Sequence, residues 1–149
     1  REIDIWKRLR HPHILPFFGA CSIADPPFAI SALKQADASS YLRSNPDADR
    51  IQIILEAILG LIYLHEHSVV HGDLKASNIL IDERGVACLA DFGLSKLRMH
   101  TTTIRSRSTG RMGTGTSRWM SPEQMCLGII NRKTDIYSLA MTIYEASAT

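Results

Sequence analysis

The sequence His71-Gly72-Asp73-Leu74-Lys75-Ala76-Ser77-Asn78, followed by Asp91-Phe92-Gly93, decides how this chain is interpreted. Asn78 lies five positions after Asp73, and Asp91 lies eighteen positions after it. Between the two segments, short apolar runs flank the charged turn 82–85, which predicts a β-hairpin. A loop, a hairpin and a second acidic turn at this spacing would bring Asp91 back to the cleft that holds Asp73.

The order of these motifs resembles that of the eukaryotic protein kinases. The resemblance extends over the whole chain. The run Gly115-Thr116-Ser117-Arg118-Trp119-Met120-Ser121-Pro122-Glu123 is similar to the substrate-docking turn and the closing Ala-Pro-Glu motif, with Ser121 in place of alanine. Asp135 matches a buried aspartate that holds the backbone of the family's catalytic loop. The docking run and Lys75 are similar to serine/threonine kinases of the tyrosine-kinase-like group.

The resemblance implies a role for each polar side chain of the first two motifs. Asp73 would orient the substrate hydroxyl or accept its proton, and Lys75 would place a compact cation near the transferring phosphate. Asn78 and Asp91 would be the metal ligands, because Mg²⁺ prefers a few carboxylate or amide oxygens together with nucleotide phosphates and water. The implied cofactors are therefore ATP and Mg²⁺, and the implied substrate is a protein hydroxyl.

The nucleotide side of the site is matched only in part. Leu80 matches the position that packs beneath adenine, and residues 28–35 are similar to the fifth strand and hinge, which puts the gatekeeper near Ala32. Glu2 matches the glutamate that pairs with the ATP-binding lysine. That lysine and the glycine-rich loop have no match in this sequence, so we interpret residues 1–149 as an incomplete protein kinase domain.

The expected fold is α+β, made of the end of the N-lobe and the first half of the mainly helical C-lobe. Residues 14–20 and 28–33 predict a hairpin, and residues 38–43 and 134–148 predict helices. A long helix should follow the capping residues 45–49, with one buried face. The apolar residues that recur at helical spacing in it are Ile51, Ile54, Leu55, Ile58, Leu61 and Ile62.

Four side chains match the family's hydrophobic spine: Trp6, Phe17, His71 and Phe92. The match indicates that His71 is a packed structural residue and not an acid or base. It also indicates that the aromatic side chains belong to the core and do not form a ligand pocket.

Composition and charge exclude several other classes. The net charge of +2 is too small to predict binding to nucleic acid or to a membrane surface. The longest apolar stretch, 51–64, includes Gln52 and Glu56 and is too short to span a bilayer. The three cysteines lie far apart without Cys-x-x-Cys pairing, which supports neither a disulfide framework nor a zinc site. Reduced thiols favour a cytoplasmic, intracellular location.

Gly72 departs from the family pattern. Many kinases have an arginine at this position, which pairs with a phosphorylated residue of the activation loop. Without that guanidinium, a phosphate on the loop cannot be bound beside Asp73 in the usual way. Between Asp91 and Glu123 the chain contains no carboxylate, and its candidate phosphorylation sites are Thr101, Thr102, Thr103, Ser106, Ser108 and Thr109.

Three functions remain open at this point. The first is an active serine/threonine kinase domain, of which this chain is a part. The second is a pseudokinase or scaffold that keeps the fold and acts by protein binding. The third is a truncated, marginally stable gene product that exposes sheet edges and apolar helix faces. The presence of Asp73, Lys75, Asn78 and Asp91 together favours the first.

Overall fold

The computed structural model describes residues 6–21, 23–26, 28–92 and 117–148. Within these residues two small β-sheets are combined with a mainly helical part, so the predicted α+β class is confirmed. Strands β1 (Phe17–Cys21) and β2 (Phe28–Ser31) form an antiparallel hairpin, as the sequence predicts.

The second sheet carries the segment between the two sequence motifs. Its strands are β3 (Ala36–Asp37), β4 (Ile79–Ile81) and β5 (Ala87–Leu89), antiparallel and in that order. The turn between β4 and β5 closes around Asp82, whose Oδ1 accepts two backbone N–H groups of the turn at 2.9 and 3.0 Å. The hairpin predicted between the motifs is therefore confirmed.

The described residues include four α-helices: α1 (Ala38–Ser44), α2 (Arg50–Glu66), α3 (Pro122–Leu127) and α4 (Arg132–Ala148). Single turns of 3₁₀-helix cover Ala76–Asn78 and Ser117–Trp119. The first three α-helices begin after a side chain that accepts an N–H of the first turn, which satisfies a donor that the helix leaves unpaired. These capping residues are Asp37, Asp49 and Ser121.

The buried face of α2 differs from the predicted one. The structure buries Ile53, Glu56, Ala57, Gly60, Leu61 and Leu64. Of the predicted set, Leu61 is buried, whereas Ile51 is 82% exposed and Leu55 and Ile62 are 47% and 49% exposed. Apolar residues lie on two sides of this helix, and the side that contains its two smallest residues, Ala57 and Gly60, faces the core. At Gly60 a Cβ atom would overlap the backbone oxygen of His13, so only glycine allows this approach.

One hydrophobic core joins α1, α2, the second sheet and the loop that begins at His71. Leu64, Leu74, Ile79 and Ile81 are completely buried in it, and each contributes about 1.5–3 kcal/mol by leaving water. Helix α4 reaches this core through Ala146, whose carbonyl accepts a hydrogen bond from Nε of Arg50 at 3.2 Å. No helix among the described residues is both long and apolar enough to cross a bilayer.

Candidate active site

The loop from His71 to Asn78 is held from below by helix α4. Asp135, which is 1% exposed, accepts the backbone N–H of His71 at 2.9 Å and that of Gly72 at 2.7 Å. The predicted role of this aspartate, holding the backbone of the loop, is therefore confirmed. Nε2 of His65 lies 2.8 Å from the same carboxylate, so α2 and α4 both contribute to the anchor.

Gly72 has a φ of +78°, in the left-handed region that glycine enters without a steric penalty. Its carbonyl accepts a hydrogen bond from Nε2 of Gln124 at 3.2 Å, while its N–H is bonded to Asp135. The residue before Asp73 is thus held on one side by α3 and on the other by α4. Because the N–H and the carbonyl of Gly72 are both hydrogen-bonded in the protein interior, the direction in which the side chain of Asp73 projects from the loop is fixed.

Three predicted site residues meet at the carboxylate of Asp73, which is 9% exposed. Nδ2 of Asn78 donates to the backbone oxygen of Asp73 at 2.7 Å and to its Oδ2 at 3.1 Å. Nζ of Lys75 lies 3.3 Å from the same Oδ2. The carboxylate is therefore held in one orientation, with a cation beside it.

Strand β5 brings the fourth predicted residue, Asp91, to this loop. The N–H of Ala90 donates to the backbone oxygen of Asn78 at 2.9 Å, so Asp91 directly follows a residue that is bonded to Asn78. Asp91 is exposed and has a φ of +55°. The structure thus brings Lys75 and Asn78 to the carboxylate of Asp73 and places the backbone of Asp91 directly after a residue bonded to Asn78.

The donor atoms at this position fit a magnesium ion. Nδ2 of Asn78 donates to two oxygens of Asp73, which leaves Oδ1 of Asn78 as the atom that can ligate a cation. The carboxylate of Asp91, which follows the Ala90–Asn78 backbone bond, would supply a second hard oxygen. Within the described residues, no group of three or more His, Cys, Asp or Glu side chains could hold a metal ion by itself. A magnesium ion at Asn78 and Asp91 would therefore also need oxygen ligands from nucleotide phosphates and water.

His71 is a packing residue in this site. It is completely buried, and burial lowers its pKa more than the neighbouring carboxylates of Asp135, Asp73 and Asp91 raise it. The imidazole is therefore neutral at pH 7. Its ring makes an edge-on contact with that of Phe92 at 6.4 Å between centroids. This agrees with the interpretation of His71 as structural.

The predicted aromatic spine is continuous. The ring of Trp6 lies 4.8 Å from that of Phe17 and 5.6 Å from that of Phe92, which in turn contacts His71 edge-on. Nε1 of Trp6 donates to the backbone oxygen of Leu15 at 2.9 Å, which satisfies the one polar atom of the indole. The spine connects the first hairpin to the turn that carries Asp91.

The two predicted adenine-side residues lie near each other. Ala32 and Leu80 are partly buried and pack against one apolar cluster formed by Leu15, Cys88 and Ala90. Contact of these two side chains with a nucleotide stays a prediction. Glu2 lies outside the described residues, as does most of the predicted activation loop.

Sequence reasoning missed two buried or half-buried acidic residues whose hydrogen bonds support the site. Oε2 of Glu145 accepts the backbone N–H of Ala76 at 2.9 Å and the indole N–H of Trp119 at 3.0 Å. Glu56 accepts the N–H of Ala87 at 2.6 Å. The available signal was an acidic residue among apolar ones in a helix, which is Glu56 in α2 and Glu145 in α4.

Comparison with known proteins agrees with this geometry. A sequence profile of the family described as protein tyrosine and serine/threonine kinase matches residues 1–149. Probable serine/threonine-protein kinase SIS8 of Arabidopsis thaliana is 36% identical over 152 residues, which cover 97% of this chain and 14% of that protein. Dual specificity protein kinase shkE of Dictyostelium discoideum is 31% identical, over 97% of this chain and 21% of that protein.

A third relative, probable serine/threonine-protein kinase drkA of Dictyostelium discoideum, is 33% identical over 99% of this chain and 23% of its own length. The chain thus spans less than a quarter of the length of these three curated relatives. The loop anchored by Asp135, the polar side chains around Asp73 and the match over all 149 residues lead to one conclusion. The chain belongs to the protein tyrosine and serine/threonine kinase family.

Proposed function

We propose that the protein containing this chain transfers the γ-phosphoryl group of ATP to serine or threonine hydroxyls of protein substrates, with Mg²⁺ as cofactor. The observation that carries the proposal is the convergence on Oδ2 of Asp73, which lies 3.1 Å from Nδ2 of Asn78 and 3.3 Å from Nζ of Lys75. Phosphoryl transfer depends mainly on positioning and on charge stabilisation. A carboxylate in a fixed orientation beside a cation supports both.

Each residue then has a defined task. Asp73 accepts or orients the proton of the substrate hydroxyl, and Lys75 places its charge beside the oxygens of the transferring group. Asn78 and Asp91 would hold the magnesium ion, which when bound offsets the negative charge of the nucleotide phosphates. Leu80 and Ala32 supply apolar surface for the adenine ring.

The choice of serine and threonine as acceptors rests on similarity. Lys75 and the run Gly115–Met120 are similar to serine/threonine kinases, and SIS8 and drkA carry that name. The name of shkE as a dual specificity kinase makes tyrosine the alternative acceptor. An intracellular location is part of the proposal, because ATP is available there and Cys21, Cys88 and Cys126 are unpaired.

The test uses the full-length protein, radiolabelled ATP and a generic basic protein substrate. We expect magnesium-dependent labelling of serine and threonine by the wild type, and no labelling by the Asp91→Asn variant, because an amide in place of a carboxylate weakens the metal site. Asp82→Asn is the matched control. It makes the same chemical change at the far end of the same hairpin, where the side chain caps a turn.

Three results would contradict parts of the proposal. Labelling by Asp91→Asn at the wild-type rate would exclude the assigned metal role. Phosphotyrosine as the only product would exclude the assigned acceptor. Absence of labelling by the wild type, together with stable binding of a partner protein, would favour the pseudokinase or scaffold alternative.

A further inference from the structure

The outer edge of β5 is paired by three different kinds of group. On its inner side the strand pairs with β4. On its outer side, Leu89 donates to the backbone oxygen of His13 and accepts the N–H of Leu15, both at 2.9 Å. The carbonyl of Ala87 lies 2.8 Å from Nδ1 of His13. The remaining outer group, the N–H of Ala87, donates to Oε2 of Glu56 at 2.6 Å.

Glu56 therefore stands where the carbonyl of a further strand would stand. Its side chain projects from the middle of α2 and is 7% exposed. The other carboxylate oxygen, Oε1, accepts a hydrogen bond from Nε2 of Gln52 at 2.8 Å. A buried carboxylate is costly unless its oxygens are hydrogen-bonded, and both are. Ile53 and Ala57, which are also buried on this helix, show that apolar residues suffice for packing there.

Strand β5 leads directly to the metal-ligand candidates. Ala87 is its first residue, Ala90 donates to the backbone oxygen of Asn78 at 2.9 Å, and Asp91 follows. Ala87 therefore lies only three residues before Ala90 and four before Asp91. Loss of the Glu56 contact would release the start of β5 from α2 and let the spacing between Asp91 and Asn78 vary.

We propose that Glu56 is a positioning residue that fixes β5 against α2 and thereby sets the spacing of Asn78 and Asp91 for a divalent cation. The magnesium part of this inference rests on the proposed function. A purely structural role for Glu56 would lower stability without changing the concentration of Mg²⁺ that the enzyme requires.

Two variants of the full-length protein distinguish the effect of the length of the Glu56 side chain from the effect of its charge. Glu56→Gln keeps an oxygen at the same distance, and Gln52 can rotate its amide to pair with the new NH₂ group. Glu56→Asp keeps the charge but shortens the side chain by one carbon, so the carboxylate no longer reaches Ala87. Gln52→Ala removes only the second donor, and Ile53→Ala removes buried apolar atoms one turn away on the same helix.

We expect Glu56→Asp to raise the half-saturating free Mg²⁺ concentration about tenfold and to lower kcat, the range seen when groups that orient metal ligands are changed. In Glu56→Gln and Gln52→Ala the half-saturating Mg²⁺ concentration should stay within about twofold of the wild-type value, since both variants keep the acceptor for the N–H of Ala87. Ile53→Ala should lower the melting temperature without moving the Mg²⁺ requirement. An unchanged Mg²⁺ requirement in Glu56→Asp, or an equal rise in Ile53→Ala, would overturn the proposal.

Amide hydrogen exchange tests the contact between Glu56 and Ala87 without an activity assay. It can be measured on the wild type, so the test does not require that every variant folds. In the wild type, the N–H of Ala87 should exchange as slowly as that of Leu89, although its acceptor is a side chain. Exchange as fast as in the turn 82–85 would overturn the inference. In Glu56→Asp, exchange should accelerate from Ala87 to Asp91, and unchanged exchange there would also overturn it. A wild type without kinase activity but with a protected Ala87 would reject the proposed function and retain the Glu56–β5 contact.

Discussion

Oδ1 of Asp135 accepts the backbone N–H of Gly72 at 2.7 Å, which joins two residues that lie 63 positions apart. The acceptor belongs to α4 and the donor to the loop that carries Asp73. Both groups are buried, so the bond excludes competing water. The orientation of Asp73 therefore depends on the correct packing of a helix that begins more than fifty residues later.

The first prediction concerns Asp135→Asn. The asparagine amide has one acceptor oxygen, which can accept the N–H of either His71 or Gly72. Its NH₂ group would then face the remaining N–H, so two donors would meet. We expect a loss of about 1–3 kcal/mol in the free energy of unfolding, and a lower kcat at unchanged ATP KM. Urea denaturation and steady-state kinetics measure these changes. Lys133→Ala, an exposed change on the same helix, is the control. Equal stability of the two variants would contradict the anchoring role.

A second prediction follows from the φ of +78° at Gly72. Gly72→Ala should lower the free energy of unfolding by about 1–2 kcal/mol, because a Cβ atom is disfavoured in the left-handed region. Gly19→Ala is the matched control, since a Cβ atom at Gly19 would meet nothing within 4 Å. If thermal unfolding of the two variants shifted equally, the strain at position 72 would be refuted.

The third prediction concerns regulation by phosphorylation. Since Gly72 provides no guanidinium beside Asp73, activity should depend little on phosphate in the activation loop. Combined alanine replacement of Thr101, Thr102, Thr103, Ser106, Ser108 and Thr109 should change kcat by less than about tenfold, or about 1.4 kcal/mol in the barrier. A hundredfold loss that an acidic substitute at one position restores would show that the arginines of this loop bind a phosphate locally.

A fourth prediction concerns Cys88. Burial raises the pKa of this thiol to about 11, and the side chain is 0% exposed. At pH 8 it is therefore protonated, and the native protein should resist alkylation there, whereas the exposed Cys126 reacts. Peptide mass mapping after iodoacetamide treatment, with and without urea, measures both residues. Rapid alkylation of Cys88 in the native protein would show that β5 opens readily.

Local pattern was enough to predict most of the fold. The hairpins and helices follow from alternation, helical spacing, turns and capping residues, each of which acts over a few positions. The convergence of Lys75 and Asn78 on Asp73 also follows from local spacing, because all three residues lie within one short loop. A sequence motif of this length leaves few conformations in which its polar groups are satisfied.

Contacts between distant elements could not be predicted in the same way. The predicted buried face of α2 is wrong, because apolar residues lie on two sides of this helix and the side that faces the core is the one that allows the close approach at Gly60. The contacts of His65 with Asp135 and of Glu145 with Ala76 join residues about seventy positions apart. Their formation depends on how α2 and α4 pack, which a single sequence does not express.

Gly60 has a mechanical consequence for the cleft. It lies one turn after Glu56 on α2, and a methyl group there would press on the backbone oxygen of His13 and come within 3.2 Å of the Leu89 side chain. Leu89 belongs to β5, and His13 lies in the segment whose backbone pairs with the outer edge of that strand. The missing side chain sets how closely the helix and strand approach, and the Glu56 carboxylate limits how far they can separate. A single added carbon at position 60 would push α2 and β5 apart and so change the distance between Asn78 and Asp91 without contacting either residue.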